Sequence, residues 1–356
     1  MTSTVDRRKF LAAAAGTAVT AAAAGIGGEL LISKRFRVNT SEVRLAPPAA
    51  TPRPLASGTT LNIPGLSPFY TPDAQFYRVD TSLVLPVISP SAWQLRIHGM
   101  VDNPMTITFD ELMKMPMIEH DVTLTCVSQS VGGPYIGNAR WEGTLLANVL
   151  RRAGIQPGAD QIVMRDVNGM TIGVATEPVM DGRASMLAVG MNGVPLPQGH
   201  GFPVRVVVPG LYGYVSACKW VVDMQLTTFG AFDAYWVQRG WSQQAPVKTE
   251  SRIDVPRVGA SLSPGKVAVA GVAWAQHRGI EAVEVGVDGT WYPAKLAAQD
   301  TIDTWRQWYY FWDATPGTHT IKVRATDRTG HTQTPVVHQT EPNGATGYHT
   351  IQVAVT

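Results

Sequence analysis

Two segments of this 356-residue chain combine residue types that could do chemistry. The first is Thr123-Leu124-Thr125-Cys126-Val127-Ser128-Gln129, a β-branched run that enters the loop Gly132-Gly133-Pro134. A cysteine there reads in three ways: as a small buried hydrophobe, as a nucleophile, or as a soft metal ligand. The second is His200-Gly201-Phe202-Pro203-Val204-Arg205, followed by Pro209-Gly210, Tyr212-Gly213-Tyr214 and Lys219-Trp220. Arg205 and Lys219 beside glycines and free backbone amides could cradle a phosphate. They could equally be solvated strand ends. No CxxC pair and no H-E-x-x-H motif occurs, so zinc has no support.

The elements that must position these residues are mostly β. Trp93 to Gly99 alternates as a strand does. Thr108-Phe109-Asp110-Glu111 has the spacing of a capping box and starts a short helix. Thr144 to Ala153 reads as a helix with Leu145, Leu146, Val149 and Leu150 on its apolar side and Gly154 just past its end. Val204 to Val208 reads as a buried strand stopped by Pro209-Gly210. Residues 73–246 therefore form an α+β unit. After about Val247–Arg252 the pattern changes. Val283, Val285 and Val287 alternate up to the hairpin signal Asp288-Gly289, and Ile321, Val323, Ala325 and Ile351, Val353, Val355 repeat the alternation. Residues 247–356 read as a β-sandwich.

The N-terminus carries an address. Arg7, Arg8 and Lys9 precede an uncharged run from Phe10 to Gly28. Basic and apolar regions followed by small residues make a secretion signal, and Asp6 to Leu11 resembles a twin-arginine signal. A membrane anchor is the alternative reading of residues 1–28. Residues 29–72, rich in proline from Pro47 onward, read as a tether. The chain is expected outside the cytoplasmic membrane. The net charge of +2 excludes a large nucleic-acid footprint. Two cysteines exclude a disulfide scaffold.

From Phe69 onward, the chain resembles the sulfite oxidase family. Thr123 to Trp141 with Cys126, and then Glu142-Gly143, are similar to that family's molybdenum-binding segment. His200 to Arg205 and Pro209 to Trp220 are similar to its pterin-binding segment. Ala273-Trp274, Val287-Asp288-Gly289, Trp312, Arg324 to Asp327 and Gly347-Tyr348-His349 resemble its immunoglobulin-like dimerisation domain. The resemblance implies a molybdenum-molybdopterin cofactor (Mo-co) with Cys126 as metal ligand. It implies that Tyr77, Arg78, Asp166, His200, Arg205 and Lys219, with backbone around Ser216, Ala217 and Cys218, hold the pterin and its phosphate. It also implies two-electron oxygen-atom transfer on a small, sulfur-containing substrate, a homodimer through the C-terminal domain, and a separate electron-transfer partner, since no haem motif is present.

Two departures concern the substrate. Where sulfite oxidases have an Arg-Asn-His run, this chain has Val79-Asp80-Thr81, and their active-site tyrosine falls within Thr171-Ile172-Gly173 here. Sulfite itself is therefore not the expected substrate. Arg140 is the candidate to orient a substrate, with a loop-holding arginine as the alternative. Cys218 aligns with no ligand position and reads as a packed thiol. A rival reading is a cofactor-free secreted β-sandwich that binds through exposed Trp305, Trp308, Tyr309 and Tyr310; an interdomain or dimer interface would also account for those rings.

Overall fold

The computed structural model describes residues 40, 43–49, 54–82 and 84–356. The expected leader and the first part of the tether lie outside the described residues. Among the described residues no helix is long and apolar enough to cross a membrane.

The first unit contains two sheets. One orders strands Met105–Thr108, Gln94–Gly99, Val221–Thr227, Gln161–Asp166 and Thr171–Ala175. The other orders Met117–Thr125, Ile136–Leu145, Met186–Met191 and Val194–Pro195, with Arg205–Val207 paired to Met186–Met191. Their apolar faces share one core that includes Trp93, Leu95, Trp141, Leu146, Val206 and Trp220. The helices are few and short, so the unit is more β than the α+β expectation. Phe109–Met113 begins with the expected capping box, with the Thr108 side chain accepting from the Glu111 amide and the Glu111 side chain accepting from the Thr108 amide. Leu146–Ala153 starts two residues later than expected, because Thr144 and Leu145 still pair with Leu187 and Met186 in the sheet. It ends at Gly154, whose φ of 70° is the left-handed stop that glycine tolerates.

The second unit begins with strand Glu250–Val255, as the change in pattern at 247–252 suggested. Two sheets, one of four and one of five strands, share a core of alternating residues: Val283, Val285, Val287, Ile321, Val323, Ala325, Ile351, Val353 and Val355 on one side, Val269, Ala273, Trp308 and Trp312 on the other. The alternation buries one face of each strand. Asp288 and Gly289 have φ of 49° and 90° and join the antiparallel strands Ile280–Val287 and Thr290–Pro293, as a tight hairpin requires.

The two units meet in an apolar cluster that includes Phe69, Ile136, Tyr212, Val215, Trp274 and Trp305. The interdomain reading of the aromatic run therefore holds for Trp305, and the rival reading of an exposed binding face is corrected. Trp305 is 3% exposed between the units and Trp308 is fully buried in the sandwich core. Only Tyr309 and Tyr310 remain partly exposed. The Trp305 Nε1 donates to the Phe69 carbonyl at 3.0 Å, so the ordered end of the tether is fixed by the same residue.

Candidate active site

Cys126 follows directly on strand Met117–Thr125, which pairs with Ile136–Leu145 so that Thr125 faces Ile136. The intervening loop is closed at its neck: the Cys126 amide donates to the Tyr135 carbonyl at 3.0 Å, and the Gln129 amide to the Cys126 carbonyl at 3.0 Å. The second unit braces this strand. Gln276 Nε2 donates to the Thr123 carbonyl at 3.0 Å and to Thr125 Oγ1 at 2.9 Å, and the Thr123 amide donates to the Asp303 carbonyl at 2.9 Å. Asp303 itself is held by His120 Nε2 at 2.9 Å and His277 Nδ1 at 3.0 Å.

The other segment closes over Cys126 from the opposite wall. His200 ends a single turn, and Gly201 follows at a φ of 111°. A Cβ on Gly201 would lie 2.9 Å from the Arg205 Cβ and 3.2 Å from Lys219, so glycine is what allows His200, Arg205 and Lys219 to converge. The Val206 amide donates to the Cys218 carbonyl at 2.8 Å, which sets Lys219 beside the start of the Arg205 strand. Trp220, next in the chain, has a φ of 52°, a left-handed conformation uncommon for a bulky residue and concentrated at functional sites.

The result is one cavity bounded by both segments. Of the expected residues, Tyr77, Cys126, Asp166, His200, Arg205, Ala217, Cys218 and Lys219 all line it. Val79, Asp80, Thr81 and Ile172 line it too, so the two segments where the resemblance marks a departure both reach the same cavity. Tyr214, Trp236 and Met170 also line it. Trp236 was not singled out in the sequence. Its signal was present in the aromatic run Tyr235-Trp236 to Trp241, which no regular element explains.

Charge is distributed unevenly. Arg205 is 5% exposed; its Nη1 donates to the His200 carbonyl at 3.1 Å and its guanidinium lies 4.8 Å from the centre of the Trp141 ring. No carboxylate pairs with it among the described residues, and its Nε has no partner. Burial pushes its pKa down to about 10. Lys219, by contrast, is paired with Asp80 at 2.6 Å. Burial lowers its pKa to about 8 against the pull of that carboxylate. Burial, with Arg205 nearby, also lowers His200 to about 4, so its imidazole is neutral at pH 7. Its Nε2 faces the Asp73 carbonyl at 3.1 Å and so carries the proton, leaving Nδ1 as an acceptor. The Cys126 thiol is raised by burial, against hydrogen bonds with Ser128. Cys218 is 1% exposed and raised by burial, as a packed thiol is.

Three expected residues lie elsewhere. Ser216 is fully buried and its Oγ donates to the carbonyls of Leu211 and Tyr212, holding the turn behind the cavity. Arg78 is exposed and reaches Asp80 Oδ2 with its Nε at 2.9 Å. Arg140 does not reach the cavity at all. Its Nε and Nη2 each lie 2.9 Å from the Asp121 carboxylate, and Nη2 donates to the Tyr70 hydroxyl at 2.8 Å. Strand alternation is the reason: Trp141 faces Arg205, so Arg140 must face the other way. A substrate-orienting part for Arg140 does not follow from this position, and the alternative of a structural arginine accounts for its contacts.

A buried guanidinium without a carboxylate partner among the described residues, a lysine ammonium nearby and a buried thiol form a donor set that suits an anionic cofactor carrying a soft metal ion. Comparison with known proteins agrees. Residues 82–236 match the family model of the oxidoreductase molybdopterin-binding domain. The mitochondrial sulfite oxidase of Macaca fascicularis is 30% identical over 290 residues, 67% of this chain and 52% of that protein. The sulfite oxidase of Gallus gallus is 30% identical over 298 residues, 69% of this chain and 63% of that protein. The uncharacterized oxidoreductase YuiH of Bacillus subtilis (strain 168) is 30% identical over 149 residues, 42% of this chain and 72% of that protein. The chain thus spans about half the length of the mitochondrial sulfite oxidases it matches. The fold is that of the sulfane dehydrogenase SoxCD from Paracoccus pantotrophus, with a TM-score of 0.69, 24% identity, and 79% and 80% of the two chains covered. The family match and the residues gathered at the cavity lead to one assignment: the chain belongs to the sulfite oxidase family of molybdopterin-dependent oxidoreductases.

Proposed function

We propose that this protein is an exported Mo-co enzyme that carries out two-electron oxygen-atom transfer on a small sulfur-containing substrate other than sulfite. The observation that carries the reading is the convergence of Cys126, His200, Arg205 and Lys219 on one cavity. When bound, the molybdenum group supplies a two-electron centre able to exchange oxygen with a substrate. The chain's own residues hold and tune it. Cys126 would give its thiolate to molybdenum, and the proton that burial keeps on Sγ would leave as the metal binds. Arg205 would offer its guanidinium, which no carboxylate neutralises among the described residues, to the pterin phosphate. Lys219 stands beside it as a point charge. His200, neutral, would present Nδ1 as an acceptor to a ring donor. Asp166 lines the cavity but spends Oδ1 on the amides of Asn168 and Met170, so its part is to hold that loop in place.

The leader would export the folded, loaded chain or anchor it, and the C-terminal sandwich, immunoglobulin-like on this reading, would form the homodimer. Electrons would pass to or from a separate partner protein. The rival reading of a cofactor-free binding module loses its motive, because Trp305 and Trp308 are buried. The test is a substrate screen on cofactor-loaded protein with artificial electron acceptors and donors. Turnover of a small sulfur compound supports the reading; a loaded protein that turns over sulfite alone overturns the substrate part of it.

A further inference from the structure

The cofactor reading leaves one acid of the cavity unexplained. Asp80 sits on the wall with its side chain 7% exposed. Its Oδ2 accepts from Lys219 Nζ at 2.6 Å and from Arg78 Nε at 2.9 Å, and its Oδ1 accepts from the Ser82 amide at 3.1 Å. It falls within Val79-Asp80-Thr81, where the resemblance sets an Arg-Asn-His run in sulfite oxidases, and it adds a carboxylate to that wall.

The cavity's lining holds two cations, Arg205 and Lys219, and two carboxylates, Asp80 and Asp166, while His200 is neutral at pH 7. Lys219 is already paired with Asp80, which Arg78 also reaches, so Arg205 is the cation left to the cofactor phosphate. A phosphate-bearing cofactor adds negative charge to the same space. The remaining wall includes Val79, Thr81, Met170, Ile172, Tyr214 and Trp236 and adds no further cation. The two rings are backed by others. Tyr214 and Trp241 have centroids 5.8 Å apart, Trp236 and Trp241 6.4 Å, and Trp236 and Tyr235 5.1 Å. The Tyr214 hydroxyl is tied to the Ser242 carbonyl at 2.7 Å, so its ring presents a fixed face. A small anion entering here would shed its water, meet Asp80, and find no free donor charge in return. An uncharged molecule with an apolar group would incur no such penalty and would gain dispersion contact with two rings.

We propose that Asp80 is a specificity-determining residue that keeps small anions out of this site, and that Tyr214 and Trp236 seat the apolar part of an uncharged substrate. The proposal rests on the cavity being the Mo-co site. It is tested by isothermal titration of the cofactor-loaded protein, without an electron donor, using sodium sulfate as the anionic probe and methyl phenyl sulfoxide as the uncharged one. The wild type should bind the sulfoxide at least ten-fold more tightly than sulfate. Asp80→Asn should tighten sulfate about ten-fold or more, since one charge a few ångströms away is removed at a low effective dielectric. The same variant should leave the sulfoxide within about two-fold. Trp236→Ala should weaken the sulfoxide about ten-fold and leave sulfate unmoved, the loss of one aromatic wall. Sulfate bound as tightly as the sulfoxide by the wild type, or sulfate affinity unchanged in a molybdenum-replete Asp80→Asn protein, overturns the proposal. So does loss of molybdenum from Asp80→Asn, which would make Asp80 a cofactor-holding residue. Molybdenum content of the wild type, measured on the same samples, tests the cofactor reading separately.

Discussion

Replacing Arg205 by methionine separates a cation kept for a ligand from a cation kept for the fold. A buried arginine paired with a carboxylate usually costs 3–5 kcal/mol to truncate, because the partner charge is stranded. Arg205 has no such partner. Burial brings it down to about 10, and that shift corresponds to roughly 3 kcal/mol of penalty for keeping the charge in the cofactor-free fold. The sign follows directly. The penalty is present in full below pH 10 and is relieved only as pH rises from there towards the ordinary guanidinium range. Against it stand the hydrogen bond to the His200 carbonyl, worth about 1.5–3 kcal/mol, and the contact with Trp141, worth about 0.5–2 kcal/mol. The two sides nearly cancel. The cofactor-free Arg205→Met protein should therefore unfold within about 1 kcal/mol of the wild type, a change of a few degrees at most. The same substitution should abolish retention of pterin in protein from a cofactor-competent host. Thermal unfolding of both cofactor-free proteins, with pterin fluorescence of the loaded ones, makes the comparison. A loss of 3–5 kcal/mol in the cofactor-free variant, or pterin retained in full, would refute the argument.

Two further outcomes concern the join between the units. Burial alone would raise the Asp303 carboxyl, but hydrogen bonds from His120 and His277 outweigh it and bring it down to about 2. Its stabilising contribution, about 2 kcal/mol, is present above pH 4 and is lost as pH falls from 4 to 2; Asp303→Asn should cost about that much at pH 7 and much less at pH 2, read from denaturant unfolding at both. Trp305→Ala should cost about 3–5 kcal/mol and, because Trp305 packs beside the strand that ends just before Cys126, should also lower molybdenum retention; a variant with full molybdenum and unchanged unfolding would contradict the bracing role.

Local signals carried far. The Thr108 and Glu111 spacing, the glycine at 154 and the Asp288-Gly289 turn each have one short-range physical meaning, and the structure contains all three. The site was legible where residues sit next to glycines that force close approach, as around Gly201. It was not legible where a side chain's direction depends on strand register. Arg140 and Trp141 are neighbours in sequence, and only the pairing of Ile136–Leu145 decides that tryptophan faces Arg205 while arginine meets Asp121. The burial of Trp305 and Trp308 was hidden for a related reason, since a run of aromatics on a strand does not announce which sheet or unit covers it. The bracing of Thr123 and Thr125 by Gln276 joins residues about 150 positions apart, beyond any local pattern.

The central claim is that Cys126 holds molybdenum in this cavity, and metal analysis of purified wild type and Cys126→Ser tests it most directly. The account predicts about one molybdenum per chain in the wild type and a loss of most of it in Cys126→Ser with unfolding otherwise preserved. Stoichiometric molybdenum in the folded serine variant, or none in wild type from a cofactor-competent host, would contradict it.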